Sequence, residues 1–352
     1  MKASIASGSP GGVPVLSNRI FLRALLPVTL IVGMFVGSLA AASPIAPGHL
    51  LVTTRVIGGT ATPGSLLEFT LAGVEIQAVQ IPNAVETSDT RDVIMGGNGL
   101  AYVYNGTFRP FMSTYNSATG MWSDRSFPGW STVNNVTYGG IATRGDFVYV
   151  TDMNTVGGEP AGIVRFDLSD SSAQRFNVVS GFSGDPIDLT IGFDGLLYVL
   201  LDDERTVQAY DPVTMEFLRT ISVSERVRAI AVDRNGNIFA AALGAELYHF
   251  NSLGAVVDSQ SLAPILGLGG RLSDIDLSAE GVLAVGTLDN VVVLSDTTLD
   301  NASSFVADRS GNITTTFVSF TQEVPEPATV ALLLVGCVGF GMSRRLTSGS
   351  RR

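Results

Sequence analysis

Lysine and cysteine each occur once in this 352-residue chain, and histidine only twice. The side chains behind most Schiff-base, thiol and zinc chemistry are therefore nearly missing. Lys2 and Cys337 stand near the two ends, so the body between them contains no disulfide and must hold together by its core alone. A zinc site needs a cluster of histidine, cysteine or carboxylate at regular spacing, and none occurs. His49 and His249 lie in separate strand-like runs and read as structural. No Gly-x-Ser-x-Gly elbow is present, and a serine nucleophile would have only those two histidines to draw on as a base. The glycine-rich stretches Met95–Gly99 and Ala263–Gly270 lack both the lysine and the strand–loop–helix order of a phosphate cradle, so they read as loops between strands. Helical periodicity is also missing between Ser43 and Phe320. Apolar residues make up 45%, with 39 glycines and 15 prolines, which suits a glycine-rich β protein.

The two ends have a different character. Lys2, Arg19 and Arg23 precede an apolar run from Ala24 to Gly37, and Ser38–Ala42 supplies small residues for a signal peptidase. Residues 1–42 therefore read as a signal peptide, an uncleaved N-terminal anchor being the alternative. At the other end, 321–327 form a linker carrying Val324-Pro325-Glu326-Pro327, and 328–352 an apolar helix with a basic tail. The prolines hold the backbone around Glu326 out of helix. The apolar segment Ala328–Met342 is near the lower limit for spanning a membrane, and Arg344 and Arg345 would stay on the cytoplasmic side.

A plain anchor explains the helix and the arginines but not the Pro-Glu-Pro. In order, Val324-Pro325-Glu326-Pro327, the Leu-rich segment with Gly336, and Arg344-Arg345 resemble the PEP-CTERM family of sorting signals of Gram-negative, exopolysaccharide-making bacteria. The resemblance covers under a tenth of the chain, and Leu346–Arg352 runs past the point where many members stop. It implies an exosortase, a membrane cysteine protease, cutting near Pro325–Pro327. The protein would be membrane-anchored in transit, then left at the cell surface or outside it. Cys337 would go with the discarded helix, as an apolar filler.

Removing both ends changes the charge. All thirty-two acidic residues lie between Ser43 and Pro327, against fourteen arginines and no lysine, for a net charge of −18. Such a body repels nucleic acid and anionic lipid and favours solubility.

Inside the body two markers keep step. A glycine opens a short strand at Gly48, Gly99, Gly145, Gly195, Gly236 and Gly281. A large apolar residue followed by a short polar one recurs at Phe69-Thr70, Tyr115-Asn116, Phe166-Asp167, Tyr210-Asp211, Phe250-Asn251 and Leu294-Ser295. In one full unit, Ile187–Ile191 alternates like a half-buried strand and Leu196–Leu200 reads as a strand covered on both faces. Val207–Tyr210 and the more polar Phe217–Ile221 follow. Four short antiparallel strands per 40–50 residues predict the blades of a β-propeller over 43–320. The first unit lacks an inner strand. Phe305–Ile313 echoes Ile230–Ile238 and is expected to supply it, closing six blades; Gly311–Phe320 starting its own blade would make seven. On the same echo, Asp233–Asn237 and Asp308–Asn312 are expected to be equivalent hairpin turns rather than calcium loops.

Carboxylates closing the strands after the glycine anchors, at Asp152, Asp202, Asp203 and Asp289, are expected on one rim of the ring. There they would either serve turns or form a ligand site for Ca²⁺ or sugar, with Trp122, Trp130 and Tyr138 as stacking surfaces. No catalytic residue is assigned. The reading is a non-enzymatic binding or scaffolding module of the envelope, with exopolysaccharide or another envelope protein as partner. The alternative is a secreted metal-dependent propeller enzyme of lactonase-like or lyase-like kind.

Overall fold

The computed structural model describes residues 43–56, 64–82, 88–107, 111–125, 139–152, 161–170, 172–177, 184–201, 203–242, 244–266, 270–288, 290–294, 297–300, 302–307 and 314–321. The expected signal peptide over 1–42, the Pro-Glu-Pro motif and the C-terminal apolar segment lie outside them. Among the described residues no helix is long and apolar enough to cross a membrane.

Six four-stranded antiparallel sheets make up the body. The inner strands are Thr314–Phe320 (blade 1), Ser88–Met95 (blade 2), Ile141–Arg144 (blade 3), Pro186–Ile191 (blade 4), Val227–Val232 (blade 5) and Leu272–Leu277 (blade 6). Blades 2 to 6 are simple meanders. Blade 1 takes its inner strand from the C-terminal end, paired in register from Leu50↔Phe320 to Val56↔Thr314. The ring is thus closed by hydrogen bonds between distant parts of one chain.

Both sequence markers have a physical basis. All six anchor glycines adopt positive φ, from 57° at Gly145 to 87° at Gly281. In blades 2 to 6 the glycine sits in the hairpin between inner and second strands, and in blade 1 Gly48 stands just before the second strand. In blades 1 to 5 the polar residue of the second marker caps the turn between third and outer strands, while Ser295 lies outside the described residues. Asn251 Oδ1, for example, accepts the amides of Leu253 and Ala255, both at 3.0 Å. Replacing Asn251 with alanine should cost about 1 kcal/mol in urea unfolding, the usual worth of such a cap.

Two expectations need correction. Ala302–Val306 is the outer strand of blade 6, and the closing strand is Thr314–Phe320, further along the chain. Residues 308–312 lie outside the described residues. In chain order they precede the closing strand, whereas Asp233–Asn237 follows an inner strand, so the two do not hold equivalent places in the repeat. The echo misleads because a match of turn-forming residues does not fix a place in the repeat. The seven-blade alternative falls as well, since Thr314–Phe320 completes blade 1. Asp233 behaves as a turn residue, its Oδ1 accepting the amides of Asn235 and Asn237. Within the Ala263–Gly270 loop a single helical turn forms at Ala263–Leu266.

The core consists of six apolar clusters, each at the junction of two neighbouring blades. Between blades 4 and 5, for instance, Tyr198 and Leu200 pack with Ile230, Val232 and Ala240. This explains why second strands such as Leu197–Leu201 are buried throughout while outer strands such as Phe217–Ser222 are mostly solvated.

Candidate functional site on the ring axis

The expected rim carboxylates take separate local roles. Asp152 ends the second strand of blade 3, is 2% exposed and pairs with Arg175 at 3.2 Å. Burial pushes its carboxyl up to about 6, against the pull of Arg175. Asp203 Oδ1 accepts the amides of Arg205 (2.9 Å) and Thr206 (2.8 Å), shaping the turn into the third strand of blade 4. Next to it the buried Glu204 pairs with Arg226 and with Arg228 of blade 5. Asp202, Asp289, Trp130 and Tyr138 lie outside the described residues. Trp122, on the outer strand of blade 2, packs on Tyr115 with ring centroids 4.8 Å apart. Neither histidine stands free. His49 Nδ1 lies 2.6 Å from Glu68, and His249 stacks on Phe239 at 4.3 Å with its pKa lowered by burial.

A more ordered set of carboxylates lies on the inner strands. Asp92, Asp188 and Asp274 occupy equivalent positions in blades 2, 4 and 6, each just after a β-bulge that sets the side chain's direction. One carboxylate oxygen takes the amide of the following residue, as Val93 at 2.6 Å and Ile275 at 2.8 Å. The other reaches the next blade: Asp92 to Ile141 (2.7 Å), Asp188 to Ile230 (2.8 Å) and Asp274 to Val318 (2.7 Å). Asp276 repeats the pattern with the amides of Leu277 and Phe320, both at 2.8 Å. Alternate blade junctions are thus bolted by a buried carboxylate, and the closing junction carries two.

Where one blade lacks the aspartate, its neighbour needs the space. Gly140 of blade 3 faces Asp188 so closely that a Cβ would stand 2.5 Å from Oδ1 and 2.4 Å from the Leu189 nitrogen. The carboxylates surround a cavity of about 20 Å³, room for about one water. Burial is the main cause holding all four pKa values above the ordinary 3.8, and mutual repulsion adds to it at Asp92, Asp188 and Asp274. Asp92 and Asp188 lie well above, Asp274 at about 7 and Asp276 at about 6. Among the described residues no three His, Cys, Asp or Glu side chains are grouped so as to hold a metal.

These aspartates escape a reading of the sequence because a polar residue in an alternating strand looks solvent-facing. A signal for them exists: Asp92, Asp188 and Asp274 each stand seven residues before an anchor glycine, in alternate repeats.

One end of the axis opens into a cavity of about 420 Å³ lined by residues of blades 1, 4 and 6, among them Phe193, Val282 and Phe320. The segment Ser43–Pro47 crosses beside it. Glu68 holds this segment by the Ala46 amide (3.0 Å), and Ser117 Oγ by the Ile45 amide (3.1 Å). A second cavity of about 340 Å³ lies on its other side.

No protein-family model matches the chain, and no curated protein matches it. Solved structures do. A chain of a nidogen/laminin complex superposes with a TM-score of 0.56 at 13% identity, over 78% of this chain and 99% of that one. A protein of unknown function from Bacteroides caccae gives 0.51 at 13% identity, with the same coverage. The body is a six-bladed β-propeller. At this identity the likeness establishes the fold alone.

Proposed function

We propose that the chain is an exported, exosortase-sorted protein whose propeller acts as a non-enzymatic binding or scaffolding module of the envelope or its exopolysaccharide. The observation that carries this reading is where the body's ends meet. The Gly48 amide bonds the Thr321 carbonyl at 3.0 Å, and the Thr321 amide bonds the His49 carbonyl at 2.9 Å. Both ends therefore leave from the face that carries the inner hairpins. Val324-Pro325-Glu326-Pro327 begins three residues after Thr321, so a membrane helix beyond it would tether the ring by that face. The opposite face, with the blade-to-blade connections, would be turned away from the membrane and toward partners. The acidic, lysine-free body suits a soluble extracellular life.

Mass spectrometry of the protein from its own host tests this. The mature form should start near Ser43 and stop near Pro325–Pro327. A chain intact to Arg352 on the cell would overturn the sorting reading.

A further inference from the structure

The 420 Å³ cavity at the mouth of the ring has a largely apolar wall, and the one charged residue lining it is acidic. Phe193 comes from the inner hairpin of blade 4, Val282 from that of blade 6, and Leu71 from the outer turn of blade 1. Phe320 and Pro47 complete the apolar wall, and Glu280 stands exposed at the rim. Phe193 is held in place by its amide, which bonds the Val232 carbonyl at 3.1 Å.

Beneath this wall lies the acid column. Asp276 accepts the amide of Phe320, itself a wall residue, and is two positions before Ser278, another wall residue. Asp274, Asp188 and Asp92, at equivalent positions in their blades, surround the smaller cavity. Asp274 and Asp276 each act to raise Asp188, so their fields reach across the channel. No lysine exists in the body, and no arginine lines either cavity. A cavity with Phe193 and Phe320 in its wall, above a ring of carboxylates, is suited to one kind of small molecule. Aromatic rings attract a cation, the walls accept apolar bulk, and once Asp276 and Asp274 ionise, above about pH 7, the field below favours positive charge.

The geometry points to this mouth as a binding site for an organic ammonium ion with an aromatic or branched apolar body, its charge directed toward Asp276 and the channel. The site stands apart from the sorting reading and survives its failure, because it rests only on the propeller's own residues.

Titration calorimetry on the full chain in non-ionic detergent at about pH 8, where Asp274 and Asp276 are ionised, tests it, with phenethylammonium, phenethyl alcohol and phenylacetate as probes. The ammonium should bind at a single site, about tenfold more tightly than the alcohol, and the carboxylate should not bind. Phe193→Ala should weaken the ammonium about tenfold. Asp276→Asn should remove the preference for ammonium over alcohol while leaving alcohol binding in place. Because Asp276 also fastens a blade junction, Phe193→Ala, in a surface hairpin, keeps the test decisive if the aspartate variant fails to fold. Equal binding of ammonium and alcohol, no binding of either at millimolar concentration, or indifference to Phe193→Ala would each overturn the site.

Discussion

Raising the pH from 5 to 8 should destabilise the propeller, the reverse of the usual rise in stability as carboxylates ionise. Asp274 and Asp276 titrate in the folded ring at about 7 and about 6, against 3.8 for a free aspartate. Between those limits the folded state holds protons that the unfolded chain has already released. Stability linked to these groups is therefore complete below about pH 4 and is lost as pH rises through 6 and 7. A rise from 3.8 to about 7 corresponds to roughly 4 kcal/mol for Asp274 alone, and Asp92 and Asp188 shift in the same direction. Asp167 and Asp211 have lowered values and act oppositely, but they sit at the surface, where solvent screens them. Guanidinium unfolding of the wild type and of Asp274→Asn, each across this range, checks the point. The variant should be weaker at pH 5, where its amide nitrogen opposes an N–H that the carboxyl accepts, and should lose much of the slope. A wild type whose stability climbs steadily to pH 8 would show that the axis carboxylates ionise freely.

Gly140→Ala, just ahead of the inner strand of blade 3, should be strongly destabilising. Its new carbon would fall 2.4 Å from the Leu189 nitrogen and 2.5 Å from Asp188 Oδ1, both fixed by the bond from Asp188 to Ile230. Neither neighbour is the loose end of a flexible chain, so blades 3 and 4 would have to part, at a cost of about 3 kcal/mol. Gly97→Ala is the matching control. It sits in an inner hairpin with nothing within 4 Å of its added carbon, and its effect should stay within about 0.5 kcal/mol. Equal effects of the two substitutions would mean that the axis is looser than its packing indicates.

How far such features can be read from sequence depends on whether their cause is local. The hairpin glycines are legible because positive φ excludes most other residues at Gly99 or Gly195, and the caps at Asn116 and Asn251 because a short side chain must reach its own turn. Repeated six times, those two constraints yield the ring and its blade count. The closing strand is harder. Thr314–Phe320 pairs with Leu50–Val56 across the whole chain, and a local resemblance draws the eye to Phe305–Ile313 instead. The axis aspartates are hardest. Asp188 in Ile187–Ile191 has the pattern of a strand with one wet face, but that face is turned to the channel and to the Ile230 amide of the next blade. Only comparison between repeats, at the position seven residues before the glycine, separates these carboxylates from ordinary surface aspartates. The rim carboxylates illustrate the converse. Asp152 and Asp203 stand at strand ends as their spacing implies, yet one is spent on Arg175 and the other on its own turn.

A column of buried carboxylates that fastens alternate blades and makes the axis acidic underlies the pH dependence, the intolerance at Gly140 and the proposed cation site. Carboxyl-carbon NMR of Asp92, Asp188, Asp274 and Asp276 followed through pH measures it most directly. Midpoints near 7 for Asp274 and near 6 for Asp276, with Asp92 and Asp188 also well above 3.8, are the predicted result. Four midpoints clustered near 3.8 would contradict it.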